Sequence, residues 1–301
     1  MAVEIKRIAY GGWPNCYSVS DGTVELVATS DVGPRIIRLG FANEPNLFAE
    51  LPETLGKTGG ESWNIYGGHR LWHSPETRGR TYYPDNFPIE VQASAGGIRL
   101  KQPVEPNTGI EKEIIITVDP KNHNCQIEHH LTNRNNWPVT FAPWAISVMR
   151  PDGVGIVPQT RKPDEEGMLP NRVLSLWPYT DMNDTRVTWG NRYILLAQDR
   201  QKKDPFKFGL SVPEGWAAYA WDGYLFMKKF AYDPVAIYPD GNVNYESYTS
   251  DTILEVETLG PLQTLNPGST AGHVETWHLF KNIGKIETEA DVEKIIIPLI
   301  K

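Results

Sequence analysis

Residues 63–76, WNIYGGHRLWHSPE, place two histidines (His69, His73), an arginine (Arg70) and a carboxylate (Glu76) among three aromatic rings, Trp63, Tyr66 and Trp72. Aromatic faces with titratable tips and few aliphatic neighbours suit a polar ligand with apolar patches, such as a sugar ring. Gly67 and Gly68 let the backbone turn or approach a ligand closely. Two other readings stay open. Aromatic and glycine residues at a β-sheet corner can be packing alone. His69 and His73 are four apart, the spacing of two metal ligands on one helix face. The glycine pair and Pro75 leave little room for a helix, however, and no acid follows His69 as the zinc-protease pattern requires. No metal constellation is expected.

A second group lies near the other end of the chain. In the predicted strand 252–258, Glu255 and Glu257 are two apart and share a face, while Leu254, Val256 and Thr258 take the other and read as core. Crowded carboxylates raise one another's pKa, which makes a usable general base. The plainer reading is a pair facing water on an edge strand. Asp85 and Asn86 either hydrogen-bond a ligand hydroxyl or simply form a Pro-Asp-Asn turn. Asp240 reads as a turn residue. His129 and His130 are strand neighbours facing opposite sides, so at most one reaches a site. An inward Lys228 would bind an acidic sugar, whereas Lys228 and Lys229 as a snorkelling surface pair is the simpler alternative. His273 and Glu275 share a face of the last strand and read as surface.

The elements that must carry these residues are mostly strands. The chain has 301 residues, a net charge of −8 and no run of Lys or Arg, which argues against a nucleic-acid partner. Ten Trp, thirteen Tyr, 26 Gly and 24 Pro favour a turn-rich, all-β chain. Cys16 and Cys125 are too few for a disulfide framework. Neither a secretory h-region nor a membrane-length apolar run is visible, so a soluble, cytoplasmic protein is expected. Short β-type runs recur at 24–29, 35–41, 114–118, 125–131, 140–149, 193–198, 206–212, 216–221, 224–230, 252–258 and 273–280, with Asp-Gly turns at hairpin-like intervals. One amphipathic helix stands out, capped by Thr288, carrying Val292, Ile295 and Ile296 on one side and ended by Pro298. The least patterned region, 158–171, reads as a linker or as an insertion that rims a site. Together these predict a single domain, a large antiparallel β-sandwich with a short C-terminal helix.

Several motifs carry a resemblance. VETLGPLQTLNPGS, followed by a terminal strand, resembles the C-terminal signature of the aldose 1-epimerase (galactose mutarotase) superfamily. There a Leu-Glu-Thr-Gln stretch holds the catalytic base and a Pro-Gly turn leads to the last strand. The matching residues here are Val256, Glu257, Thr258 and Leu259, then Pro267 and Gly268, with Leu259 departing from Gln. SDVGPRIIRLGFANEPNLF looks like the superfamily's early hairpin, and Gly67-Gly68 beside His69 loosely resembles its sugar-contacting His-Gly-Gly element. A more specific likeness is to one branch that shares Gly-Gly-His-Arg-Leu-Trp with Pro-Glu, then Tyr-x-Pro-Asp-Asn, then Glu-Thr-Leu-Gly-Pro. Those motifs stand here at 67–72 with 75–76, at 82–86 and at 257–261.

The resemblance implies a galactose mutarotase-like supersandwich that interconverts sugar anomers without a cofactor. Glu257 would take the proton of the anomeric hydroxyl. The superfamily's general acid is a histidine on a mid-chain strand, and the matching position here holds Trp144. That leaves the acid role to His69, His73 or His129. Arg70 would orient hydroxyls or an acidic group, and Trp72 or Trp144 would supply a stacking face. Glu76, Asp85, Asn86, Lys228 and Glu255 complete the expected binding set. The expected partner is a small sugar or sugar derivative, with no nucleic acid and no membrane, and the chain is expected as a monomer or homodimer. Two alternatives follow from the same residues: a binding protein that turns nothing over, and cleavage of a glycosidic bond by a Glu76–Glu257 pair.

Overall fold

The computed structural model describes residues 2–161 and 167–300, so part of the 158–171 region falls outside the described residues. Two antiparallel sheets make up the body. The larger, of eleven strands, runs Glu4–Tyr10, Trp13–Ser20, Val24–Thr29, Arg35–Phe41, Gly68–Ser74, Val139–Met149, Leu254–Leu259, Tyr245–Thr249, Phe206–Leu210, Leu174–Leu176 in spatial order. Its eleventh strand, Gln263–Leu265, pairs with the start of Val139–Met149. The ten-stranded sheet runs Val187–Trp189, Tyr193–Ala197, Val154–Pro158, Trp216–Trp221, Tyr224–Phe230, Thr270–Lys281, Asn124–Asn133, Ile110–Asp119, Gly97–Lys101, Glu90–Ser94. This is the expected all-β sandwich.

The core lies between the sheets. Leu26, Ile36, Leu71 and Val256 from one face meet Ile114, Ile127, Phe226 and Trp277 from the other. The predicted runs 24–29, 35–41, 216–221 and 224–230 coincide with strands, because each alternates or is continuously apolar over a strand's length. The helical segment begins as expected. Thr288 and Asp291 form a capping box, and Val292 and Ile296 are buried against Ile156, Trp216 and Met227 on the outer face of the ten-stranded sheet. Pro298 sits within the final 3₁₀ turn, Ile297–Leu299. No helix among the described residues is long and apolar enough to cross a membrane.

Residues 68–74 form a full strand, not a corner. Both of its faces are buried, so its polar–aromatic alternation does not read as a half-exposed strand from the sequence. Gly67 and Gly68 open it at φ +78° and +68°. A Cβ at Gly67 would lie 2.1 Å from the Ala49 carbonyl oxygen, and one at Gly68 would lie 2.2 Å from that of Ile36. The glycine pair therefore answers to neighbouring backbone and not to a ligand. Gly68→Ala should destabilise the fold by about 2–4 kcal/mol, from left-handed strain plus overpacking. Urea unfolding measures this, and an unchanged midpoint would show that the turn relaxes freely.

Candidate functional site

Strand register assembles the site on the outer face of the eleven-stranded sheet. One row of side chains runs Arg70, Ile146, Glu257, Glu246 across four adjacent strands. Beside it run the rows Trp72, Trp144, Leu259 and Val148, Glu255, Tyr248, Lys207. Alternation sends all of these to the same side. Arg70, Ile146, Trp72, Trp144, Glu255, Tyr248 and Lys207 of these rows line a cavity of about 360 Å³, with Trp63, Glu76, Tyr82 and Tyr179 among its walls. The strand carrying Glu255 and Glu257 is internal and buried on both faces, so the edge-strand reading does not hold.

Opposite charges are paired throughout this floor. Arg70 Nη2 donates to Glu255 Oε1 at 3.0 Å, and its guanidinium lies 4.4 Å from the Trp72 ring centre. Arg70 Nε and Nη1 have no protein partner. Glu257 Oε2 accepts from Trp144 Nε1 at 2.8 Å and from Lys207 Nζ at 3.2 Å, while Oε1 has no partner. Lys207 Nζ also pairs with Glu246 at 2.7 Å and lies 4.5 Å from the Trp144 ring centre and 4.6 Å from that of Trp177. Glu257 is fully buried and meets the cavity only through Trp144 and Lys207. Burial lifts its carboxyl above the ordinary value, against the pull of Lys207. Burial lifts Glu246 well above its ordinary value too, with Lys207 opposing and Glu257 adding. For Lys207, burial acts downward, but Glu246 and Glu257 outweigh it and hold the ammonium above its usual range. On the rim, the Tyr82 hydroxyl donates to Glu76.

The histidines expected as acids are not in this cavity. Arg70 and Trp72 face it, so the alternate residues His69 and His73 point between the sheets. His73 is buried beside Phe141, 4.0 Å from Glu105. His69 joins a closed polar cluster. Its Nδ1 lies 2.8 Å from Ser147 Oγ and its Nε2 2.7 Å from His129 Nε2. His129 Nδ1 faces the His273 carbonyl oxygen at 3.0 Å, which only accepts, so His129 carries its proton there. His69 Nε2–H therefore donates to His129 Nε2, and the Ser147 hydroxyl donates to His69 Nδ1. Lys228 is inward but sits in this same cluster, donating to Glu275 Oε1 at 2.9 Å and to the Val256 carbonyl. His273 and Glu275, expected at the surface, are buried here as well. His69, His73, His129 and Lys228 are thus separated from the cavity by the thickness of the sheet, which corrects their expected roles.

Asp85 and Asn86 are also structural. Asp85 pairs with the buried Arg35 at 2.6 Å, and Asn86 accepts from Tyr66 and donates to the Gly60 and Ser62 carbonyls. Glu76 does reach the rim, as do Arg70, Trp72, Trp144 and Glu255 the floor. Sequence reading missed Lys207, Glu246, Tyr82, Tyr179 and Tyr248. The signal was present for the first two: each is a lone charge inside an apolar or aromatic strand, FKFGL and YESYT. His69, His129 and Glu275 place three side chains of metal-ligating type within 4.8 Å of one another. Each already has a protein partner, and the Lys228 ammonium on Glu275 opposes a further cation, so the group does not fit a metal.

The histidine cluster makes stability depend on pH. Burial holds His129 down at about 3 and His273 at about 4, far below an ordinary histidine. An unfolded chain binds those protons below about pH 6.5, while the folded chain does not. Stability present above that pH is therefore lost as pH falls toward the folded values. His69, His273, Glu275 and Lys228 surround His129, and in a comparison with His129→Asn the Ser147–His69, Thr258–His273 and Lys228–Glu275 pairings are common to both proteins. The stability advantage of wild type over His129→Asn should shrink by about 2 kcal/mol between pH 7 and 5. A difference independent of pH in urea unfolding would contradict the buried neutral state.

No protein-family model and no curated protein matches the chain. Solved structures do. A galactose mutarotase-like protein from Lactobacillus casei aligns with a TM-score of 0.61 at 10% identity, over 88% of this chain and 100% of that one. A galactose mutarotase-like protein from Clostridium acetobutylicum aligns with 0.56 at 10%, over 93% and 99%. A galactose mutarotase related enzyme from Lactobacillus acidophilus aligns with 0.52 at 13%, over 91% and 100%. At such identities the likeness is one of architecture: the chain has the galactose mutarotase-like β-sandwich fold.

Proposed function

We propose that the concave cavity binds a sugar ring or sugar derivative and that the chain is a carbohydrate-active protein, with binding as its primary role. The observation that carries this is the floor itself. Trp72 and Trp144 stand 5.5 Å apart at 67° and are almost wholly buried, and around them the partly exposed rings of Trp63, Tyr82, Tyr179 and Tyr248 line the cavity beside the Arg70–Glu255 pair. Indole faces pack against the C–H face of a pyranose, while a guanidinium with free N–H groups and a carboxylate meet its hydroxyls. Sugar recognition needs that mixture of flat apolar surface and fixed polar groups. Titration of the wild-type protein with hexoses, pentoses, uronic acids and sugar phosphates, read by intrinsic Trp fluorescence and calorimetry, should give saturable binding to at least one class. Trp72→Ala should weaken it about tenfold or more, a loss of roughly 1.4 kcal/mol. Failure of every sugar to bind folded protein would sink the proposal.

One observation favours a second reading, aldose 1-epimerase-like exchange of anomers. Glu257, reached from the cavity only past Trp144 and Lys207, keeps one oxygen without a partner, and burial raises its carboxyl above the ordinary value. In that chemistry the base takes the anomeric proton, an acid protonates the ring oxygen, the ring opens, and closure after rotation gives the other anomer. Trp144, at the acid's position, has a donor-only indole N–H that does not titrate. Lys207 is the nearest cationic donor, but its raised pKa makes it a weak acid at neutral pH. These two facts place turnover second. Anomer exchange followed by NMR decides it. Exchange on one sugar, abolished in Glu257→Gln, would promote catalysis, and no exchange on a sugar that demonstrably binds would leave binding alone.

A further inference from the structure

A second cavity of about 340 Å³ adjoins the first and shares Glu76, Tyr82 and Trp144 with it. Its own residues are Thr77, Arg78, Trp177 and Asp240. The two cavities are therefore lobes of one cleft, and the Lys207 ammonium, between the Trp144 and Trp177 rings, marks the junction. Each lobe alone lies near the small end of ligand-site volumes, about 300–1,000 Å³. The second lobe repeats the chemistry of the first: an indole face from Trp177, a cation from Arg78, and an acceptor from Asp240. Asp240 is held in place rather than free to drift. Its carboxylate accepts from Ser74 Oγ at 3.1 Å, and its backbone oxygen accepts from Ser175 Oγ at 2.6 Å.

We propose that the ligand is an oligosaccharide of at least two linked rings, one ring over Trp72 and Trp144 and the next against Trp177 between Arg78 and Asp240. This rests on the sugar-binding reading above and names its substrate class. A single ring in the first lobe leaves the second indole and its two charged neighbours unused. A linked ring fills the second lobe without a second loss of translational freedom, so its contacts add directly to affinity. The shared wall of Glu76, Tyr82 and Trp144 is where the glycosidic linkage passes.

The test is a length series on the wild-type protein, measured by calorimetry. Glucose and galactose are compared with their α- and β-1,4-linked dimers and trimers. The expected result is a gain of about tenfold or more in affinity from one ring to two for one linkage, equivalent to about 1.4 kcal/mol. In Trp177→Ala, and independently in the surface variant Arg78→Ala, the ratio of monosaccharide to disaccharide Kd should fall toward one. A ligand that binds equally well at every length overturns the oligosaccharide inference while leaving sugar binding intact. Absence of binding at any length, with no pentose, uronic acid or sugar phosphate bound either, removes both, so the two failures are distinguishable. A ratio that persists in both variants, in folded protein, would place the second ring elsewhere and overturn the assignment of the second lobe.

Discussion

Two carboxylates, Glu246 and Glu257, face each other across adjacent strands with one ammonium, Lys207, between them. All three are removed from water, where like charges cannot both persist unless something offsets them. Lys207 pairs with both, and burial together with the neighbouring Glu257 pushes the Glu246 carboxyl well above its ordinary value. Taking away one member of such a buried set is costly, about 3–5 kcal/mol, because the rest stay desolvated and unpaired. The walls of the cleft hang on this arrangement. Glu257 orients the Trp144 indole through its N–H, and Lys207 spaces Trp144 from Trp177.

The eleven-stranded sheet separates two polar systems that the sequence interleaves residue by residue. On the outer face, Arg70, Glu255, Glu257 and Lys207 form charged pairs beside an aromatic cavity. On the inner face, Ser147, His69, His129, His273, Thr258, Glu275 and Lys228 form a closed network with Trp277 Nε1 donating to Glu275. The two have different work. A satisfied network in the core fixes how the sheets meet, because each member accepts only one arrangement of donors. The outer system keeps buried polar atoms without a protein partner, Arg70 Nη1 and Glu257 Oε1 among them.

Trp144 is where the fold's likeness and the chemistry of this chain part. The motif likeness around Glu257 makes it the base candidate, and its side chain lies on the outer face of the eleven-stranded sheet, buried behind Trp144 and Lys207. The residue expected to be its acid partner is an indole that instead hydrogen-bonds the base. An indole N–H can hold a carboxylate in place but cannot hand over a proton at any working pH. Among the described residues no histidine replaces it on that face, since the nearby ones, His69, His73 and His129, project inward.

The sequence by itself determined the all-β class, several strand positions, the capped C-terminal helix, and the sharing of one face by Glu255 and Glu257. These are local properties: period-two alternation, turn residues and a Thr-x-x-Asp cap act within a few residues of chain. Only the tertiary structure decided which face of each strand meets the cleft. Strands buried on both sides, such as Gly68–Ser74 and Leu254–Leu259, give no polar–apolar contrast to reveal it, so His69 and Arg70 looked equally suited to a site. It also decided the partners. Lys207 reaches Glu257 across 50 positions of sequence, and Arg70 reaches Glu255 across 185. Such pairings depend on strand order and register, which are set by how the whole sandwich closes and not by any stretch within it.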